Sequence, residues 1–343
     1  MNAAPQPTRT PDEEVIDPAR PIIDPHHHLW HRAGDRYLLD ELLADTGAAD
    51  AHGARHNVRS TVYVECASMY SAAGPEALRP VGETEFVQGV AAMSASGVYG
   101  PTRVAAGIVS FADLCLGAAV REVLEAHIDA ARNRFRGIRH AAGWHASEAI
   151  RNSHSNPVEG LLLDKSFREG FAQLAPLGLS FDAWLFHPQL TQLTDLARAF
   201  PDTVIVLDHF GGPLGIGPYA GDADAVFADW HRDIDELAAC PNVVAKLGGL
   251  AMPINGFGWH KWPRSPSSQE LADATARYVL HTIDRFGPQR CMFESNFPVD
   301  KVSCSYRVLW NSFKRLAAGF SDSEKDALFH DTAARVYRLA PTE

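Results

Sequence analysis

Short apolar runs rich in β-branched residues recur along this chain, each followed by a polar loop and then by apolar residues at helical spacing. The runs are IIDPHHHLWH (22–31), STVYVECAS (60–68), TRVAAGIVSF (102–111), FRGIRH (135–140), LSFDAWLFH (179–187), TVIVLDHF (203–210), NVVAKLGGL (242–250) and RCMFESNF (290–297). Runs this short and this apolar are what strands buried on both faces require. Helices are expected over 83–95, 114–133, 164–177, from near Pro188, over 224–239 and over 267–286. Val120, Leu124 and Ile128 form one stripe of the second, and Gly178 closes the third. Two more helices end the chain, the last opened by the capping box Ser321-x-x-Glu324. Eight strands alternating with helices predict an α/β fold, a single (β/α)8 barrel with long βα loops and an extra C-terminal helix. The rival, an open doubly wound sheet, lacks its Gly-rich dinucleotide turn after the first strand. Residues 1–20 are expected as a loose arm and 21–343 as the barrel domain.

Composition narrows the partners. A formal charge of −11 over 343 residues excludes a nucleic-acid surface and docking on anionic membranes. Five scattered cysteines with no CxxC predict reduced thiols in a cytoplasmic protein. The polar, Pro-rich opening lacks the apolar core of a signal peptide, and no apolar run is long enough to span a bilayer. A small molecule is the expected partner, and a homo-oligomer is compatible with the composition.

In a barrel the C-terminal strand ends form one ring, where catalytic residues gather. Strand alternation puts Asp24, His26 and His28 on one face, with Pro25 and His27 on the other. Two imidazoles at that spacing suit a divalent metal or a polarised carbonyl, with Asp24 beneath as their orienter. The other strand ends carry Glu65, Arg136, Arg139, His140, His187, His209, Lys246, Glu294 and Asn296. Four strand-end histidines (His26, His28, His187, His209) with carboxylates suit metal-assisted or imidazole-polarised hydrolysis. His187, before Pro188, equally suits a helix start. Arg136 and Arg139 offer seats for a substrate carboxylate, and Glu65 is a further substrate contact. Lys246 is expected to pair with an internal carboxylate. Trp259, His260 and Trp262 are expected as lid residues on the long loop over 249–266.

The strings IDPHHHLWH, FRGIRH, VIVLDHFGGP and MFESNFPVD resemble the amidohydrolase superfamily, in its branch of lactonases acting on sugar acids and aromatic breakdown products. The resemblance runs from Ile22 to the closing TAARVYRL. It implies that His26, His28 and His209 bind a zinc ion or the substrate carbonyl directly, and that Arg136 and Arg139 hold an acid group. Members of this branch differ in whether a metal is needed. The family's last strand ends in Ser-Asp-Trp-Pro, whose aspartate activates water, whereas this chain has Ser295-Asn296-Phe297-Pro298. A carboxamide cannot take a proton from water, although it can hydrogen-bond it. Glu294, Asp300 and Glu65 are then three candidate bases, with Asn296 orienting the water. The expected activity is lactone opening. Decarboxylation of an aromatic or unsaturated acid, which His187 suits better, and binding of a small acid without turnover are the alternatives.

Overall fold

The computed structural model describes residues 12–340. Among them, β1 (Pro21–His27) leads into a small antiparallel hairpin, β2 (Trp30–Arg32) and β3 (Asp35–Tyr37). Seven further strands follow: β4 (Asn57–Val64), β5 (Arg103–Ser110), β6 (Phe135–Ile138), β7 (Ser180–Ala183), β8 (Ile205–Leu207), β9 (Val243–Leu247) and β10 (Cys291–Phe293). β1 and β4 to β10 pair in parallel in chain order. The residues after β10 close the ring. His27 bridges Phe297, Asn296 N–H donates to the His26 carbonyl at 2.9 Å, and His28 N–H donates to that of Phe297 at 2.8 Å. The barrel expected from the alternating pattern is formed.

The helices are α1 (Leu39–Thr46), α2 (Val81–Ala95), α3 (Val120–Ala130), α4 (Lys165–Phe171), α5 (Leu190–Ala199), α6 (Ala223–Ala238), α7 (Ser268–Phe286), α8 (Tyr306–Leu316), α9 (Asp322–Asp326) and α10 (Thr332–Val336). Ser267 and Glu270 form a capping box at the start of α7, and Ser321 and Glu324 form one at α9. Two apolar layers result. Inside the barrel, Ile23, Val62, Val64, Val109, Val206, Val244 and Met292 pack together, and Ala333, Val336 and Tyr337 of the C-terminal segment plug them from below. The outward strand residues pack against the helices in a larger cluster.

Three departures have local causes. The stretch expected as one helix over 114–133 divides at Gly117, whose φ of +60° ends a first 3-10 turn before α3 begins. The run LSFDAWLFH gives only four residues of strand, because His187–Gln189 already turns into the next helix. Residues 12–20, expected as part of a loose arm, are fastened to the body. Val15 N–H donates to Asp50, Ile16 N–H donates to Asn311, and Arg20 pairs with Asp17, Asp322 and Asp326. The first eleven residues of that arm lie outside the described residues. Among the described residues no helix is long and apolar enough to cross a membrane.

Candidate active site

The alternation of β1 sets the floor of the barrel mouth. His26 and His28 turn to the same side, ring centroids 4.9 Å apart, while the ring of His27 turns away to Thr61 Oγ1 at 2.8 Å. Asp24 lies below them, but it does not reach the imidazoles. Its carboxylate accepts the N–H groups of Ser295 and His26 and the hydroxyl of Tyr306, so it ties the last strand to the first. Burial raises its pKa to about 6 against those bonds.

β8 delivers His209 to the same point, its ring centroid 4.5 Å from that of His26. His209 takes the left-handed backbone region (φ +53°), which a non-glycine residue adopts only when its surroundings force it. Those surroundings are visible. Glu294 accepts from His209 Nδ1 at 2.6 Å, Trp184 packs edge-on against the ring at 5.0 Å, and the chain after β9 presses in behind. A Cβ on Gly249 would lie 2.4 Å from the His209 ring, and one on Gly248 would lie 2.3 Å from the Glu294 carbonyl. Two glycines at this turn are a steric requirement of the site.

A closed charge network surrounds the three rings. Lys246 on β9 reaches Asp182 at 2.7 Å and Asp208 at 3.0 Å, an internal pairing of the kind expected, and lies 3.2 Å from His26 Nδ1. Arg139, just past β6, donates to Glu65 at 2.7 Å, to Asp208 at 3.3 Å and to His26 Nε2 at 3.3 Å. Burial alone would lower Lys246, but Asp182 and Asp208 push it up to about 12. Burial alone would raise Asp208, yet Lys246 and His26 hold it well below the usual carboxylate range. Burial holds the imidazoles neutral, with His26 near 4 and His209 near 3.

Above this floor opens a cavity of about 350 Å³, lined by His28, Trp30, Arg32, Cys66, Arg139, the loop over 151–154, Trp184, Phe186, His209, Met252, Ile254, Asn296 and Val299. Of the expected site residues, His28, His209, Arg139 and Asn296 meet in this wall, with His26 and Glu294 directly beneath. Several expectations need correction. Arg136 is at the opposite end of the barrel, donating to the backbone carbonyls of Tyr337, Phe135 and Asn133. It stands near the start of β6 and Arg139 just past its end, so the length of the strand, about 3.3 Å per residue, separates the two along the barrel axis. Arg139 itself is spent on Glu65 and Asp208, so the two do not form the expected paired seat for a carboxylate. His187 lies beyond the end of β7, its Nδ1 accepting from Leu214 N–H and its ring against Tyr219, outside the wall and outside the candidate metal sets among the described residues. Trp259 is buried against Phe257 and helps line a separate small cavity near Phe210, and His260 is likewise absent from the wall, so neither forms a lid.

The three carboxylates chosen as bases are also displaced from the cavity. Glu294 points both oxygens at imidazoles, Oε1 at His209 and Oε2 at His26 Nδ1, 2.8 Å away. Asp300 sits behind Asn296, accepting from its amide at 2.9 Å, and burial raises its pKa to about 8. Glu65 is fully buried, holding Arg139 on one oxygen and His154 on the other at 2.8 Å, and does not touch the cavity as a substrate contact. Burial would raise it, but His154 and Arg139 bring it down to about 2.

The donor set fits a divalent cation. His26, His209 and Glu294 each offer one ligand atom, all within 4.8 Å of one another. Glu294 Oε2 faces His26 without hydrogen-bond alignment, so a buried oxygen is available to an ion. Around this set the buried carboxylates Glu65, Asp182 and Asp208 are met by Arg139 and Lys246, while the partners of Glu294 are imidazoles. His28, whose Nδ1 bonds the Val64 carbonyl, stands at the edge of this set.

Sequence reasoning overlooked His154, Trp184, Arg32 and Arg151, which line the cavity, and Asp182, which anchors Lys246. His154 and Arg151 lie in an irregular loop, where no period signals direction. Asp182 alternates with Ser180 on a buried strand, and an acid there does carry a signal.

Comparisons with known proteins match the chain and its fold. The amidohydrolase family model matches residues 23–339. An uncharacterized protein, y4mH, of Sinorhizobium fredii is 34% identical over 93% of this chain and 98% of its own length. An L-fucono-1,5-lactonase of Burkholderia ambifaria is 29% identical over 82% of this chain and 81% of its own. The crystal structure of an amidohydrolase from Burkholderia multivorans with bound zinc superposes with a TM-score of 0.68 at 27% identity, over 93% of this chain and 99% of that one.

Proposed function

This chain belongs to the amidohydrolase family, and from that premise we propose that it is a hydrolase opening a lactone, with a divalent metal, zinc by the donor set, at its centre. The observation that carries the reading is the convergence of His26, His209 and Glu294 beneath a cavity walled by aromatic and cationic side chains. Two relatives bear on it: the Burkholderia ambifaria protein is named a lactonase, and the Burkholderia multivorans structure holds zinc.

His26, His209 and Glu294 hold the metal, with His28 beside them. Bound there, the cation supplies Lewis-acid polarisation of the ester carbonyl. The protein supplies the rest. Glu294 fixes the His209 ring through Nδ1, so its Nε2 lone pair is aimed inward. His28 donates Nδ1–H to Val64, which fixes its tautomer likewise. Asn296 gives its amide N–H to Asp300, so its carbonyl oxygen is the acceptor that orients an attacking water. Trp30, Trp184 and Phe186 enclose the apolar part of the ring and exclude bulk water. Arg151 and Arg32, in place of the expected Arg136, supply positive charge for an acid group on the substrate. Arg32 is held by the Cys66 carbonyl at 2.8 Å and stacks on Trp30 at 4.5 Å.

The case for decarboxylation rested on His187 and loses that support with its position outside the cavity. The test is a panel of sugar-acid and aromatic lactones assayed with and without chelator. We expect ring opening that a chelator abolishes and zinc restores. His26→Ala and His209→Ala should each lower kcat by about 10²-fold or more. Turnover intact in both variants refutes the assignment.

A further inference from the structure

Lactone hydrolysis needs a group to take a proton from water, and the position expected to supply it is a carboxamide, Asn296. Glu294, Asp300 and Glu65 are all engaged elsewhere, and none lines the cavity. One imidazole in the cavity wall remains free of the metal set and is backed by a carboxylate. We propose that His154 is the general base and acid of the reaction, positioned by Glu65; this assignment rests on the lactonase reading above.

The geometry is that of a carboxylate–imidazole pair. His154 Nε2 lies 2.8 Å from Glu65 Oε2. Glu65 is fully buried, and its other oxygen takes Arg139 Nε at 2.7 Å, so the carboxylate cannot turn away. An ionised carboxylate accepts only, so His154 carries its proton on Nε2 and leaves the Nδ1 lone pair as the basic atom. The His154 side chain is 33% exposed and shares the cavity wall with Asn296, His28 and His209. The loop is held in place: Ser153 N–H donates to the Gly143 carbonyl, and Asn152 accepts from His145 N–H at 2.7 Å.

The step balances without a further reagent. Water gives a proton to His154 Nδ1 as its oxygen bonds the ester carbon. The ring C–O bond then breaks, and the imidazolium returns that proton to the departing alkoxide oxygen. One water is consumed, one hydroxy acid is formed and the imidazole is regenerated. Glu65 touches no substrate; it fixes the tautomer and stabilises the transient imidazolium.

The experiment compares the holoenzyme with His154→Gln, His154→Ala and Glu65→Asp on whichever lactone the wild type opens. We expect kcat of His154→Gln to fall about 10²–10⁴-fold with KM little changed, and added imidazole to restore part of the rate of His154→Ala. Glu65→Asp, which keeps the charge, should retain more activity than either. In parallel, nitrogen-15 NMR of the wild-type ring should show the Nε2–H tautomer. Turnover of His154→Gln within about twofold of wild type, or an Nδ1–H ring, overturns the assignment while lactone opening stands. A wild type that opens no lactone overturns the underlying reading and this assignment together, so the two failures are told apart.

Discussion

Arg139 and Arg136 stand three residues apart in one strand segment, yet they serve opposite ends of the barrel under opposite rules. At the mouth, Arg139 is fully buried and bound to two carboxylates, Glu65 and Asp208. At the opposite end, Arg136 joins Arg103 and Arg134 around a cavity of about 430 Å³, and backbone carbonyls take its donors. Its pKa is lowered, by burial and by the neighbouring arginines Arg338 and Arg134. A charge fully withdrawn from water needs a counter-charge, whereas one still wet at its edge is satisfied by dipoles. The site sits where charges bind one another.

That contrast can be broken or sharpened by substitution. The largest effect belongs to Arg139→Met, which takes the arginine from buried Glu65 and leaves Asp208 with Lys246 alone. It should cost about 3–5 kcal/mol in denaturant unfolding and abolish turnover. Next comes pH, read on an imidazole belonging to neither end. His127, buried between Thr84 Oγ1 and the Phe111 carbonyl, has its pKa lowered by burial to about 4. The unfolded chain therefore takes its proton first as pH falls. Stability contributed by this ring should be lost from about pH 6.5 down to about 4, by up to about 3 kcal/mol, and His127→Gln should flatten that limb of the unfolding profile. Gly249→Ala drives a methyl into the His209 ring, at a backbone φ of +78°. We expect about 1–3 kcal/mol of destabilisation together with a fall in kcat. The smallest effect is Arg136→Met, about 1 kcal/mol with kcat unchanged. If Arg136→Met matched Arg139→Met in either measurement, the division between the two ends of the barrel would be wrong.

What the sequence disclosed follows from periodicity. The order of strands and helices, and the shared face of His26 and His28, rest on periods of 2 and 3.6 that a single chain displays openly. The misplacements came where a period was ignored or absent. Arg136 stands near the start of β6 and Arg139 after its end, a clue that their positions along the strand carry. His187 failed because the apolar run outlasts the ladder: β7 stops at Ala183, and by His187 the chain has already turned into the next helix. Trp259 follows a strand in a long loop, as a lid residue would, but its size drives it into the apolar layer beside Phe257. His154 could not have been found this way. Its role depends on Glu65, 89 residues earlier, and only folding brings the two together.

The interlocked floor of the mouth also bears on how such a protein can change its habits over generations. Each of Arg139, Lys246, Asp208 and Glu294 answers to at least two neighbours, so altering one leaves another without its match. The rim is under no such constraint: Arg151, Met252, Ile254 and Val299 border the cavity without joining that mesh. New substrate preferences should therefore arise by drift at the rim, with the residues below inherited intact.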